Sequence, residues 1–446
     1  MQLIIDVTMH ITFQFGKMEI ARDRYLKQLI ASQGNGLIKV ITGIRRCGKS
    51  FLLKVLFKKH LLSQGVRKED IMVVELDAKR GIRFRNPLVL SEHVEEWLRG
   101  ATGQRYLFID EIQMSDEVEN PYNPKGKAIT FYDTLNDFMH IENLDVYVTG
   151  SNSRMLSSDI KTEFRGRGDE IRLHPLSFSE YLSAVNKDQR DAFEDYMRFG
   201  GMPFCLSRQD DASKEAYLRS LFNLVYFNDI IERWEIEHPE LLERIVDFIC
   251  SSIGSLTNPS NITNALQAQF GKTGAVNTVA AYIAHLEDAY LFSKVNRYDV
   301  KGKRYFDYPY KYYCEDVGLR NARTGFRQQE PTHIIENILY NELILRGYSV
   351  DIGYVESFET KEGKRQRVPR EIDFVVNKSD QRVYIQSAYA LDTDEKRIKE
   401  LKPFSLTGDS FRKIIVRNDI GKSWYDDTGV LNVNVINFLL EPGLLI

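Results

Sequence analysis

Eight consecutive residues near the start of the chain have the pattern of a phosphate-binding loop. They run from Gly43 to Ser50 and read GIRRCGKS, which fits G-x-x-x-x-G-K-[ST]. Glycines at both ends let the backbone curl so that its N–H groups point at phosphate oxygens. In such loops the lysine reaches the β- and γ-phosphates and the final hydroxyl ligates Mg²⁺. The spacing therefore predicts a nucleoside triphosphate site in which Lys49 contacts phosphate and Ser50 contacts the metal. We assign the nucleotide-binding role to nine residues: Gly43, Ile44, Arg45, Arg46, Cys47, Gly48, Lys49, Ser50 and Phe51.

Two carboxylates end an apolar run 61 residues after Lys49. The run is Tyr106-Leu107-Phe108-Ile109, and Asp110 and Glu111 follow it directly. This order is typical of a Walker B motif, in which the first acid holds the hydrated Mg²⁺ and the second polarises the attacking water. We predict Asp110 as a metal residue and Glu111 as the general base. The alternative is a strand that merely ends in acidic turn residues.

A third apolar run also ends in small polar residues. It covers residues 146–149 and is followed by Gly150-Ser151-Asn152. A polar side chain at such a strand end orients the attacking water beside the γ-phosphate. Asn152 or Ser151 fits this sensor role by position, and an ordinary turn is the alternative.

Two arginines flanked by glycine follow at Arg165 and Arg167. An arginine near a γ-phosphate stabilises the charge of the transition state, so either residue is a candidate arginine finger. Solvated loop arginines are the competing interpretation.

These residues need a parallel sheet to bring them together. Short β-rich runs alternate with helical ones from Leu37 onward, which predicts a parallel α/β fold. The predicted strands cover 37–42, 71–76, 106–109, 146–149 and 171–173. Because the carboxyl ends of parallel strands share one edge, the loop and both acids are expected there.

Composition sets the limits of what the chain binds. The 446 residues are 43% hydrophobic and 28% charged, with a formal net charge of -3, as in globular proteins of several domains. Any contact with nucleic acid must then come from a local patch. No apolar run approaches the length of a membrane span and the N-terminus has no secretory pattern, so we expect a cytoplasmic protein without a membrane partner. The four cysteines are too scattered for a zinc cluster or a disulfide framework.

The middle of the chain has the pattern of a winged helix. Residues 257–266 and 277–286 read as a helix-turn-helix, and 291–305 as a hairpin that forms the wing. Lys301, Lys303 and Arg304 make this wing basic and able to contact DNA phosphates. The second helix ends in acidic residues, so packing against protein remains the alternative.

The C-terminal part has an acid on an amphipathic helix, Glu336, and another in a strand, Asp373. In this arrangement it resembles the restriction-endonuclease fold, and the two residues match two acids of that fold. Gln386 and Ala388 stand where active members carry an acid and a lysine. Without these groups, metal binding and water activation should both fail, so we expect no nuclease activity.

Several of these motifs together resemble a bacterial and archaeal family of AAA-type ATPases that join the ATPase to a C-terminal domain of unknown function. The residues that carry the likeness are 41–50, 109–113, 149–153, 166–167 and 175–178. The resemblance implies a five-stranded AAA-like core that binds ATP and Mg²⁺, with Asn152 as the sensor. It also covers the chain from Met18 to about the C-terminus.

We predict four segments on this basis: an N-terminal extension at 1–17, an AAA-type P-loop core at 18–205, a helical lid and winged helix at 206–330, and an inactive endonuclease-like α/β domain at 331–446. The predicted function is an Mg²⁺-dependent ATPase that couples nucleotide state to domain rearrangement on DNA. A nucleotide switch that scaffolds protein partners is the alternative, an ATP-gated nuclease is a weaker one, and a homo-oligomer is compatible with each.

Overall fold

The fold is described from a computed structural model that covers residues 20–151, 168–271, 274–327, 330–361 and 364–445. The predicted extension at 1–17 lies outside these residues. The chain divides into two compact units. The first unit ends at His174 and also includes Asp288–Tyr290, and the second contains Pro175–Glu287 and Leu291–Ile446.

The first unit is built on a parallel sheet. Its described strands are β1 (Ile38–Thr42), β2 (Ile71–Glu75), β3 (Arg105–Asp110), β4 (Leu144–Thr149) and β5 (Gly168–Arg172). They lie in the order β2-β3-β4-β1-β5, and each neighbouring pair is parallel. Each predicted strand is therefore present, with ends shifted by up to three residues. This sheet confirms the predicted AAA-like α/β core.

Four helices accompany this sheet in the described part of the unit: α1 (Asp23–Ala31), α2 (49–63), α3 (Pro87–Leu98) and α4 (Phe131–Phe138). Helix α2 contains a π-helical segment, Leu52–Phe57. Helix α3 begins where sequence rules place it, because the Asn86 side chain accepts hydrogen bonds from the first backbone N–H groups and proline follows at the first helical position. Apolar side chains of α3, α4 and the strands form one buried core, which includes Val40, Leu90, Ile109, Leu135 and Val148.

The second unit combines helices with an eight-stranded sheet. Its described helices are α5 (Phe178–Ala184), α6 (Gln189–Phe199), α7 (211–233), α8 (Pro239–Ser251), α9 (Pro259–Phe270), α10 (Val276–Asp288), α11 (Val317–Arg323), α12 (Pro331–Leu345), α13 (Asp394–Ser405) and α14 (Val435–Leu440). Its strands are β6 (Phe292–Asp299), β7 (Arg304–Cys314), β8 (Ser349–Lys361), β9 (Lys364–Lys378), β10 (Gln381–Ala388), β11 (Arg412–Arg417), β12 (Trp424–Tyr425) and β13 (Leu431–Asn434).

The β6–β7 hairpin occupies one edge of this sheet. The strand order is β12-β13-β11-β10-β9-β8-β6-β7, and β6 pairs with β8 in parallel. The hairpin that we expect to be a wing is thus continuous with the sheet of the C-terminal part. The predicted boundaries at 205 and 330 both fall inside the second unit. The four-segment division stays a prediction.

Within the described ranges, the helices are too short or too polar to cross a membrane.

Candidate active site

The predicted phosphate loop connects β1 to α2 in a curled conformation. Gly43, Arg46 and Gly48 have φ values of 136°, 61° and 109°, so residues with positive φ recur along the loop. Loops of this kind turn successive N–H groups to one side and form an anion-binding concavity. At Gly43, a Cβ atom would lie 2.1 Å from the Leu173 carbonyl oxygen, so only glycine fits there.

The loop lysine lies beneath this curl. Lys49 is 3% exposed, and its Nζ donates hydrogen bonds to the carbonyl oxygens of Gly43 and Ile44, at 2.8 and 3.1 Å. Because those bonds keep the ammonium beside the concavity, Lys49 is placed to meet a phosphate oxygen. Cys47 is fully buried, with its thiol 3.4 Å from the Leu173 carbonyl oxygen, and Phe51 is half-buried in the first turn of α2.

The first Walker B acid is hydrogen-bonded to the last residue of the loop. Asp110 ends β3 and is 2% exposed, and its Oδ1 accepts hydrogen bonds from the Ser50 hydroxyl at 2.9 Å and the Thr149 hydroxyl at 2.5 Å. Hard oxygen donors of this kind are the ligands that Mg²⁺ prefers. The chemistry of the donor set therefore fits a magnesium site at Ser50 and Asp110.

The second acid is held by a network of side chains. Glu111 has φ 59°, which is rare for a residue with a side chain, and its N–H donates to the Thr149 hydroxyl at 3.0 Å. Its carboxylate accepts a hydrogen bond from Gln113 Nε2. Gln113 Nε2 also lies 3.1 Å from the Ser151 hydroxyl, which in turn accepts from Arg45 Nε at 3.3 Å. Glu111 is thus positioned at the sheet edge beside the loop.

A lysine that the motifs do not include also contacts the site. Lys54 Nζ lies 2.7 Å from Asp110 Oδ2 and 2.6 Å from Glu75 Oε1. Lys54 follows Ser50 by four residues, so helical spacing puts the two side chains on one face of α2. Although Asp77 keeps much of its surface exposed, partial burial and the negative charges of Asp110 and Glu111 raise its pKa. The site therefore concentrates negative charge that a cation can neutralise.

The structure brings the loop, both Walker acids and Ser151 to one edge of the sheet. The sensor candidate Asn152 and the finger candidates Arg165 and Arg167 lie outside the described residues. Their roles remain predictions. Three residues that contact the site were not predicted from the sequence: Thr149, Gln113 and Lys54. Of these, only Lys54 had a sequence signal, its helical spacing from Ser50.

The second unit contains a buried cluster of carboxylates around one lysine. Lys311 Nζ, on β7, lies 2.8 Å from Glu336 Oε1, 2.7 Å from Glu371 Oε1 and 3.8 Å from Asp373 Oδ1. Tyr313 also donates to Glu336 Oε1, at 2.6 Å. Burial lowers the pKa of Lys311, but the three carboxylates outweigh it and raise that pKa. The lysine is therefore a buried ammonium that neutralises part of the cluster.

Gln386 and Ala388, which stand in place of the acid and the lysine of active nucleases, follow in the next strand, β10. Gln386 Oε1 accepts from the Asp373 N–H at 3.2 Å, and Gln386 Nε2 donates to Glu400 Oε2 at 2.8 Å. Burial, followed by the charge of Glu336, raises the pKa of Asp373 well above its usual range. Ala388 is buried in an apolar core, so it brings no cation to the acids.

Family models match two parts of the chain. A model described as an AAA domain matches residues 35–182, and a model described as a domain of unknown function (DUF8612) matches residues 190–330. The first match includes the phosphate loop and both Walker acids. It confirms the expected AAA-type ATPase.

Two of the relatives are uncharacterized proteins. One, from Haemophilus influenzae, is 31% identical over 433 residues, which span 95% of this chain and 100% of the relative. The other, from Methanocaldococcus jannaschii, is 26% identical over 408 residues, which span 86% of this chain and 83% of the relative. The likeness thus extends well beyond the ATPase core.

Similar solved structures include the Walker-type ATPase of Pyrococcus abyssi, which has 14% sequence identity to this chain and a TM-score of 0.48. The match covers 69% of this chain and 96% of that one. The Aeropyrum pernix ORC1 protein in complex with DNA has 13% identity and a TM-score of 0.28, with coverage of 69% and 93%. The chain belongs to the same family as the Haemophilus influenzae protein, and its first unit is an AAA-type P-loop ATPase.

Proposed function

We propose that the protein hydrolyses ATP with Mg²⁺ held by Ser50 and Asp110, and that nucleotide state changes the arrangement of the rest of the chain. The observation that carries this proposal is the 2.9 Å hydrogen bond between those two residues, next to the buried Lys49. A metal ion bound there would neutralise phosphate charge. The role of Lys49 is to bind phosphate, and the role of Glu111 is to take a proton from water at its carboxylate.

The first experiment measures ATP binding by isothermal titration in Lys49→Ala. Removing the ammonium takes away the phosphate contact, so binding should be lost. The exposed Lys68 offers a matched control, because it precedes β2 at the end of the strands opposite the loop, so Lys68→Ala should bind ATP like the wild type. Unchanged binding in Lys49→Ala would disprove the assignment.

DNA is the partner that the basic turn of β6–β7 favours. Lys301, Lys303 and Arg304 are exposed there, and Arg304 Nε lies 3.6 Å from Asp299 Oδ2. Exposed cations of this kind bind phosphate backbones with an affinity that falls as salt rises. The test is the ATPase rate with and without DNA, together with a salt-dependent mobility shift. If DNA changes neither measurement, the DNA proposal fails and the scaffold alternative replaces it.

The scaffold alternative predicts a different result. A switch that holds protein partners needs ATP to change assembly rather than DNA affinity. Its test is the mass of the protein in solution, measured by light scattering with and without ATP. A nucleotide-dependent change of mass without any response to DNA favours the scaffold.

We further propose that the carboxylate cluster of the second unit has no nuclease activity. Gln386 and Ala388 replace the acid and the lysine that such chemistry needs, and the Lys311 ammonium lies among the remaining acids. Plasmid incubated with Mg²⁺ or Mn²⁺ should stay intact. Cleavage that disappears in Asp373→Ala would contradict this proposal.

A further inference from the structure

Three arginines and three aromatic rings share one face of the hairpins β6–β7 and β8–β9. In β8–β9, Phe358 lies opposite Arg367, and Thr360 lies opposite Arg365. Opposed residues of an antiparallel pair project to the same side, as do residues two apart along one strand. Tyr354, four residues before Phe358, is therefore on this face too.

The β6–β7 hairpin extends the same face. Arg297 pairs with Phe306 across that hairpin, and its guanidinium carbon lies 5.3 Å from the Phe306 ring centre and 4.3 Å from that of Tyr354. One arginine thus joins the two hairpins. We call the set Arg297, Phe306, Tyr354, Phe358, Arg365 and Arg367 the arginine–aromatic face.

Arg297 and Arg365 stack on aromatic rings, and Arg365 is exposed to solvent. The Arg365 guanidinium carbon lies 4.2 Å from the centre of the Phe358 ring. A guanidinium on a ring keeps donors in its own plane, a geometry that suits bidentate contact with phosphate. The face therefore offers cationic donors beside planar rings.

The acidic residues on this face already have cationic partners. Glu356 accepts hydrogen bonds from Arg367 and from the Tyr354 hydroxyl. Glu371, opposite Tyr354, lies 2.7 Å from Lys311 Nζ. Because each carboxylate is paired, the potential over the face is set by the remaining arginines and by the exposed lysines of the nearby turns.

Two of the side chains are widely exposed, at 57% for Phe358 and 62% for Arg367. Exposed rings next to arginines are the elements with which proteins bind single-stranded nucleic acid, because every unpaired base has a face that stacks on a ring. The bases of a duplex are stacked on one another and offer no such face. We propose that the arginine–aromatic face binds single-stranded DNA, which rests on the proposed contact of this protein with DNA.

The binding test uses fluorescence anisotropy with the full chain and no nucleotide. The probe is a labelled oligothymidylate of about 20 nucleotides, longer than the site of one binding fold. A duplex and an oligouridylate of the same length are the comparison arms. We expect the single-stranded DNA to bind at least about tenfold more tightly than the duplex. Equal or tighter binding of the duplex, or tighter binding of the ribonucleotide, would overturn the proposal.

Two variants separate stacking from charge. Phe358→Ala should weaken binding about 5- to 100-fold without changing the salt dependence, because a lost ring contact releases no counterion. The variant Arg365→Gln should reduce the slope of log affinity against log salt by about 0.7, the contribution of one phosphate contact on a single strand. Both changes are at exposed positions of the hairpin, and thermal unfolding should match the wild type.

The matched control lies on the other side of the sheet. Helix α13 packs there through Phe404, in the same core cluster as Val355, whose side chain points away from the arginine–aromatic face. Lys399→Gln with Lys402→Gln removes two exposed charges on that helix and should leave affinity within about twofold. A loss equal to that of Arg365→Gln would show only general charge attraction and would contradict the assignment.

The result is independent of hydrolysis. Lys49→Ala should bind the oligonucleotide like the wild type, so loss of ATP binding and loss of DNA binding are separate outcomes. If the oligonucleotide binds but leaves the ATPase rate unchanged, DNA binding is not coupled to ATP hydrolysis, and the assignment of the arginine–aromatic face is retained. If single-stranded DNA does not bind while the protein hydrolyses ATP, the proposed role of the arginine–aromatic face is wrong, and the proposed ATPase site is retained.

Discussion

The Ser50 hydroxyl donates a 2.9 Å hydrogen bond to Asp110 Oδ1, so the last residue of the phosphate loop and the first Walker B acid meet directly. The other carboxylate oxygen of Asp110 lies 2.7 Å from Lys54 Nζ. Asp110 is thus fixed from two sides by groups of α2. Because of this contact, we expect substitutions of Ser50 to weaken Mg²⁺ binding before they affect other steps.

Ser50→Ala should raise the Mg²⁺ concentration needed for half-maximal ATP hydrolysis about tenfold or more, because one oxygen ligand is lost. The measurement is a magnesium titration of the ATPase rate at saturating ATP. Ser50→Thr is the control, since threonine supplies the same hydroxyl and the loop pattern accepts it. An unchanged magnesium requirement in Ser50→Ala would contradict the metal assignment.

Glu111→Gln should lower the turnover number about 10²- to 10⁴-fold, the usual contribution of a general base. Glutamine keeps the size and the hydrogen bond with Gln113 but cannot take a proton from water. ATP binding, measured separately by titration, should remain within about threefold of the wild type, because the base contributes to the transition state alone. Hydrolysis at the wild-type rate would remove Glu111 from the mechanism.

Thr149→Val tests how Glu111 is positioned. The Thr149 hydroxyl donates to Asp110 and accepts from the Glu111 N–H, so valine leaves that N–H without its partner. We expect a lower turnover number with little change in ATP affinity, and a loss of about 1–3 kcal/mol in the free energy of unfolding. Thr149→Ser restores the hydroxyl and should rescue turnover. Failure of that rescue would mean that packing rather than hydrogen bonding matters at this position.

The meeting of the phosphate loop with Asp110 and Glu111 could be predicted because each motif is defined by local spacing. Lys49 and Ser50 are adjacent, and Asp110 and Glu111 follow one apolar run, so each motif is complete within a few residues. Their order in the sheet then brings the motifs together, as parallel topology requires. The role of Thr149 could not be predicted from the sequence, because its contact with Asp110 depends on the alignment of two neighbouring strands.

The position of Lys311 in the carboxylate cluster of the second unit could not be predicted from the sequence for the same reason. The nuclease pattern places a lysine two residues after Gln386, where this chain has Ala388. Lys311 instead enters the cluster from β7, at the far edge of the eight-stranded sheet. Such a contact joins segments that no short pattern connects, so it appears only when the fold is known.

Lys311→Met should lower the free energy of unfolding at pH 7 by about 3–5 kcal/mol, because it leaves buried carboxylates without their counter-ion. Since burial and neighbouring acids already raise the pKa of Asp373, removing the ammonium should raise it further. The folded variant then binds protons more readily than its unfolded chain, and its deficit should shrink as the pH falls. Urea unfolding at pH 7 and pH 5 measures both effects.

The control for this variant is Lys301→Met, which removes an exposed lysine from the β6–β7 turn. It should unfold within about 0.5 kcal/mol of the wild type, as exposed substitutions usually do. A deficit in Lys311→Met that stays constant between the two pH values would mean that lost packing, and not the unpaired carboxylates, destabilises the variant.

The burial of Asp316 predicts a pH dependence for the stability of the second unit. Its Oδ2 accepts from the Gly201 N–H at 2.6 Å and its Oδ1 from the Leu319 N–H at 3.0 Å. Burial nevertheless dominates and raises the pKa of this carboxyl to about 6. Because the unfolded value is about 4, the folded state holds a proton that the unfolded chain releases between those pH values. The stability from this proton is complete below about pH 4 and is lost as the pH rises through 6.

Asp316→Asn removes the titrating group. The difference in unfolding free energy between wild type and variant should therefore change by up to about 3 kcal/mol from pH 4 to pH 7, in the direction that favours the wild type at low pH. Urea unfolding at several pH values measures this difference. The exposed Gln269 supplies the control, and Gln269→Ala, which removes no titrating group, should keep a constant offset. A constant offset in Asp316→Asn as well would show that Asp316 titrates alike in the folded and unfolded chain, so that its backbone hydrogen bonds balance the cost of burial.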